Sequence, residues 1–162
     1  MPRREGQVAG LFSRLFKRPQ PTGPPEVLRT FGSRDLPIAQ TGVTVDGDSL
    51  RIEAEDAGSV PLFEIPDPGV ESCVLAYRAM LKTADVEGGV YLELWCRAPG
   101  RGEFFSKGLH DKLQGTTDWS SHEIPFNLKQ GERPDLIKLN LAFEGPGTAW
   151  IRDIELRRTP LA

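Results

Sequence analysis

Residues 73–97 read CVLAYRAMLKTADVEGGVYLELWCR, and their spacing decides the fold. Cys73, Leu75, Tyr77, Ala79 and Leu81 occupy alternate positions, and so do Val90, Leu92, Leu94 and Cys96. A period of two belongs to a strand with one face in a core; a helix would repeat every 3.6 residues. The polar stretch from Ala84 to Gly89 predicts a loop between two strands, the first of them the longest in the chain. Both cysteines fall in the inward series. The outward series of the second strand is Tyr91, Glu93, Trp95 and Arg97.

The same period extends in both directions from this stretch. Upstream, Gly42 to Val45 and Ser49 to Ala54 flank Asp46-Gly47-Asp48, whose Asp-Gly pair is the chemistry of a tight hairpin turn. Val60 to Ile65 is a further short strand, closed by Pro66 and Pro68. Downstream, Ile124, Phe126 and Leu128 alternate with Glu123, Pro125 and Asn127. Ile137, Leu139, Leu141 and Phe143 alternate with Lys138, Asn140, Ala142 and Glu144, which predicts one buried and one wet face. A last strand, Thr148 to Arg157, follows the turn Gly145-Pro146-Gly147. No segment of this region sustains a helical stripe, and there is no internal repeat. The reading is all-β: an antiparallel β-sandwich of jelly-roll type over residues 27–162.

Residues 1–26 read differently. Val8, Leu11, Phe12, Leu15 and Phe16 form the stripe of a short amphipathic helix, with Arg14, Lys17 and Arg18 among its polar residues. Pro19, Pro21, Pro24 and Pro25 then predict a Pro-rich linker that is stiff and extended. Arg3, Arg4, Arg14, Lys17 and Arg18 make this leader basic, although the 162-residue chain carries a net charge of −3. Such a stripe suits anionic headgroups or a partner's groove. Arg14 interrupts the apolar run and prolines follow it, so a secretion signal is not expected. Nor is there an uninterrupted apolar stretch of roughly 20 residues. The expected location is cytoplasmic, peripheral at the inner membrane face.

From Val74 to Leu156 the chain resembles the galactose-binding-like β-sandwich shared by many carbohydrate-binding modules. The resemblance rests on ordered features: the long strand Val74 to Thr83, the strand Val90 to Trp95, the segment Gly115-Thr-Thr-Asp-Trp119 before a strand, the strand Ile137 to Leu141, and the closing Gly147 to Leu156 with its Trp150 and Asp153. It implies a binding module, and a neighbouring strand that brings Lys138 and Asn140 beside Tyr91, Glu93 and Trp95. Asp153 is the residue through which it implies a structural calcium ion; Arg152 stands where relatives often carry a second acid.

The remaining residues exclude several chemistries. Cys73, Cys96, His110 and His122 show no metal-ligand or redox spacing. Gly100-Arg101-Gly102 lacks the third glycine of a dinucleotide loop, and no Walker-type lysine exists. A chain of net charge −3 has no general attraction to nucleic acid. Phe104, Phe105 and Trp119 are expected to plug the core near the loops. The expected function is a non-catalytic module with its ligand face at Tyr91, Glu93, Trp95, Lys138 and Asn140, its aromatic rings suited to the flat faces of sugars or to a protein partner. The competing expectation is an interaction domain with no small-molecule ligand, docked to a membrane or partner by its leader.

Overall fold

The structure is a computed structural model and describes residues 20–162. The amphipathic helix expected at Val8 to Phe16, with Arg14, Lys17 and Arg18, lies outside the described residues. Nine strands run in chain order: β1 Glu26–Phe31, β2 Val43–Asp46, β3 Ser49–Ala54, β4 Gly58–Pro66, β5 Cys73–Ala98, β6 Gly102–Lys107, β7 Leu113–Leu128, β8 Leu136–Phe143 and β9 Gly147–Pro160. Every pairing among them is antiparallel.

The strand β5 builds both layers. Its first half, Cys73 to Ala84, lies between β7 and β9. Its second half, Val90 to Ala98, lies between β8 and β6. The first layer is therefore β2, β3, β9, β5 and β7, with β1 also paired to β9, and the second is β4, β8, β5 and β6. Their inward side chains share one core, with Leu75, Tyr77, Leu81, Leu92, Leu94, Leu139, Leu141, Ile151 and Leu156 almost fully buried. Burial of branched side chains from both layers is what holds such a sandwich together.

The loop expected at Ala84 to Gly89 is instead the bend that carries β5 from one layer to the other. Register shifts at Leu81/Thr83, Thr83/Val86 and Val86/Val90 absorb the change of direction, as bulges do where a strand must turn. Val86 is buried, and the Thr83 hydroxyl meets the Thr117 hydroxyl at 2.8 Å. Asp85 and Gly88 have positive φ, 53° and 72°. A side chain at Gly88 would bring its Cβ to 2.9 Å from that of Glu144. The Gly145-Pro146-Gly147 turn closes over the bend through a 2.9 Å bond from the Glu87 amide to the Pro146 carbonyl.

The alternation expected for β8 does not hold either. Asn140 and Ala142 are buried along with the inward series, because β8 is flanked by β4 and β5 and side chains cover its outer face. The hairpin of β2 and β3 turns at Gly47 and Asp48, with Asp46 opposite Ser49 as the last ladder pair. Gly47 takes the positive φ the turn requires, 63°. Cys73 and Cys96 are buried, as their inward phase suggests, and they are free. Burial raises the Cys96 thiol to about 12, with Cys73 adding to the shift.

Candidate binding face

Tyr91, Glu93 and Trp95 alternate away from the core along the second half of β5. Antiparallel registry sets Glu93 opposite Asn140 and Trp95 opposite Lys138 on β8. On the other side it sets Glu93 opposite Lys107 and Trp95 opposite Phe105 on β6. Residues far apart in sequence thus meet on the outer face of the second layer. Tyr91 and Trp95, four residues apart, mark out roughly 13 Å along the strand.

Glu93 organises this face. Its Oε1 accepts a 2.9 Å bond from Trp95 Nε1 and a 3.0 Å bond from Asn140 Nδ2, and its Oε2 lies 3.7 Å from Lys107 Nζ. Although its phase points outward, it is only 2% exposed, since ring, amide and ammonium close over it. Burial pushes its carboxyl up, but hydrogen bonds from Asn140, Trp95 and Ser59 and the Lys107 charge outweigh that and hold it below the ordinary value. A carboxylate anchored in this way fixes the indole in one orientation. Phe105 packs at 5.1 Å from Trp95, tilted by 50°, and Lys107 lies 4.6 Å from the Phe105 ring centre.

Two further features shape the face. Asn140 is 7% exposed, and its Oδ1 has no hydrogen-bond partner, which leaves a buried acceptor beside the Glu93 carboxylate. Its backbone carbonyl accepts from the phenol of Tyr77, which crosses the core at 3.2 Å. Lys138 is paired to Glu103 at 2.7 Å, so it frames the face with a salt bridge. Burial, followed by the carboxylates of Glu93 and Glu144, raises the Tyr91 phenol.

The residues expected to plug the core do not. Phe105 is 54% exposed and belongs to the face just described, a role missed because the strand β6 has too few apolar residues to show a period. Phe104 is 48% exposed, at the rim of a cleft of about 220 Å³ that it lines with Phe126, Leu128 and Pro134. Trp119 lies against Arg152 and Lys82 on the outer face of the first layer.

His122 is buried, with Asp111 Oδ2 at 2.9 Å from Nδ1 and Ser120 Oγ at 2.8 Å from Nε2. That order matches a nucleophile relay. The adjoining space is about 10 Å³, too little to admit a reacting group. The contacts instead latch the segment after β6 onto β7. Among the described residues, no group of three or more His, Cys, Asp or Glu is placed to hold a metal ion. Asp153 has a φ of 53° and lines a shallow hollow with Asp35, Asp48 and Glu155, its carboxylate 3.6 Å from Arg152.

No protein-family model and no curated protein sequence matches the chain. Its fold is that of carbohydrate-binding modules. The CBM22-1 xylan-binding domain of Paenibacillus barcinonensis Xyn10C superposes with a TM-score of 0.55 at 12% identity, over 85% of this chain and 97% of that one. A CBM4 module superposes with a TM-score of 0.53 at 11% identity, over 80% and 78% of the two chains. The CBM22-1 and GH10 modules of Clostridium thermocellum Xyn10B, complexed with xylohexaose, give 0.51 at 8% identity, over 83% of this chain and 25% of that one. At these identities the likeness is one of fold: this chain is a β-sandwich of the carbohydrate-binding-module type.

Proposed function

We propose that this chain is a non-catalytic carbohydrate-binding module whose ligand, a neutral β-linked oligosaccharide, lies along the second half of β5. The observation that carries this reading is the Trp95 indole, held by the buried Glu93 carboxylate beside Phe105 and next to the unpartnered Asn140 Oδ1. Rings with fixed orientation stack on the apolar faces of pyranoses, and a nearby ammonium takes up hydroxyls. Lys107 supplies a hydrogen-bonding group, with Tyr91 and Lys138 at the margins, while Glu93 and Asn140 support the face from beneath. The fold shared with modules described as xylan-binding and as complexed with xylohexaose supports the same class of ligand.

Calorimetric titration of the full chain with xylo-, cello- and manno-oligosaccharides tests the proposal. Saturable binding of at least one of them, abolished by Trp95→Ala and weakened by Phe105→Ala, is the expected result. Failure of all three series to bind would favour the interaction-domain alternative.

Residues 1–26 fit a tether that brings a cytoplasmic module to the inner membrane face. Residues 20–26 pair with the end of the chain, Pro21 with Leu161 and Glu26 with Arg158, so the deletion that tests this spares them: removing residues 1–19 is expected to abolish co-sedimentation with anionic vesicles and to leave oligosaccharide affinity unchanged. Loss of oligosaccharide binding in the deletion would contradict the separation of the two roles.

A further inference from the structure

We infer that the leader of this chain has a seat on its own sandwich: the apolar stripe of Leu11, Phe12, Leu15 and Phe16 packs into the cleft where the core opens between β6 and β7. The inference rests on that cleft and on where the leader joins the body, and not on the ligand assigned to the second layer.

Directly opposed residues of an antiparallel pair point to the same side of the sheet. Registry sets Phe104 opposite Cys96 and Phe126 opposite Leu75, so both rings have the phase of core residues. Cys96 and Leu75 are almost fully buried, yet Phe104 is half exposed and Phe126 only partly buried. The cause is that β6 and β7 each pair with β5 alone, and among the described residues no strand closes the gap between them. The cleft of about 220 Å³ that results has Cys96, Leu128 and Pro134 on its walls beside the two rings. Rings with inward phase left partly in water are an unfinished piece of core, and covering them is favourable in proportion to the area removed from solvent. The volume is below the roughly 300 Å³ at which pockets for small ligands begin, and it suits anchoring side chains from a segment laid across it.

The leader joins the body beside this cleft. The Ala162 amide donates to the Gln20 carbonyl, the Leu161 amide to that of Ser72, and the Ser72 amide to that of Lys129, which lines the cleft. Gln20 thus stands three strand spacings from Lys129, roughly 14 Å. Phe16 is four residues from Gln20, an extended reach of about 14 Å, and a helical turn from Phe12 to Phe16 adds about 6 Å. So short a link holds the stripe at a roughly millimolar effective concentration, enough for a contact too weak to form between separate molecules. Charge does not oppose it: Arg133 is paired with Glu71, and Lys129 is offset by Glu132, so the rim is neutral toward the basic leader. The stripe is the one given above to the membrane, and the cleft holds it where no bilayer competes.

Amide chemical shifts of the full chain, with neither vesicles nor oligosaccharide present, test the seat. The double variant Phe12→Ser, Phe16→Ser alters no residue of the sandwich, and it is expected to move the amides of Phe104, Phe126, Leu128 and Glu132. Phe104→Ser, with a melting curve to show that it folds, is expected to move the amides of Leu11 to Phe16 in return. Both effects should persist on dilution, as an intramolecular contact does, and in high salt, as an apolar one does. Cleft amides that stay in place in the leader variant, or leader amides that stay in place in Phe104→Ser, would overturn the inference. Loss of the effects on dilution would overturn it as well, by giving the cleft to a second copy, and loss in high salt would replace apolar seating with charge. Absence of oligosaccharide binding while the cleft shifts are present would sink the reading of the second layer alone and leave the seat standing.

Discussion

The outer faces of the two layers both carry tryptophan and lysine, yet they are built on opposite plans. On the second layer a buried carboxylate, Glu93, gathers Trp95, Asn140 and Lys107 around itself and leaves an amide oxygen unpartnered. On the first layer the plan is reversed: Lys82, Arg51 and Arg152 lie over the rings of Trp119 and Trp150, with Glu53 beside Arg51 and Asp48 and Asp153 beside Arg152. Composition alone would equate the two faces. What differs is the order of the groups: a buried carboxylate beneath the ring on one face, cations over the rings on the other.

That contrast is most readily broken at Glu93. Glu93→Ala leaves Trp95 Nε1, Asn140 Nδ2 and the Lys107 ammonium without their shared acceptor. Removing one partner of a buried polar network costs about 3 kcal/mol. Denaturant unfolding should show that loss, and Lys82→Ala on the other face should cost below about 1 kcal/mol, as expected of exposed cation–π contacts. Equal costs would mean that the two faces are built alike.

A smaller effect sharpens the same point through pH. The Glu93 carboxyl is held below its ordinary value in the folded chain. A lowered folded pKa contributes stability that is fully present above the unfolded pKa, near 4.3, and is lost as pH falls through the folded value. Stability should therefore fall with pH below about 4.3, and Glu93→Gln, which cannot titrate, should fall less steeply over that window. Parallel pH profiles for the two proteins would refute the assignment. Smaller again is Tyr77→Phe, which removes the bond to the Asn140 carbonyl at a cost of about 1 kcal/mol.

The sequence made the layers legible because strict alternation survives wherever a strand has one face in the core. It also brought Tyr91, Glu93 and Trp95 onto one strand face, and the resemblance supplied Lys138 and Asn140 as their neighbours; the ladders place all five together. What it could not show was burial on the outward side. Glu93 and Asn140 have the phase of wet residues and are dry because each covers the other. The bend at Ala84 to Gly89 looks like a loop because its polar residues satisfy ladder bonds through bulges. Trp119 and Phe105, expected in the core near the loops, lie outside it, since an indole can cover a sheet from outside when a cation lies on it. The row of Arg51, Lys82, Trp119, Trp150 and Arg152 meets across four strands, which no linear spacing reveals.

Whether a neutral glycan lies on the outer face of the second layer is decided by amide chemical-shift mapping of the full chain during titration with a bound oligosaccharide. The perturbed amides are expected to cluster at Tyr91, Glu93, Trp95, Phe105, Lys107, Lys138 and Asn140, with Lys82, Trp119 and Trp150 unmoved. Perturbations confined to the first layer, or absent across the whole oligosaccharide panel, would contradict it.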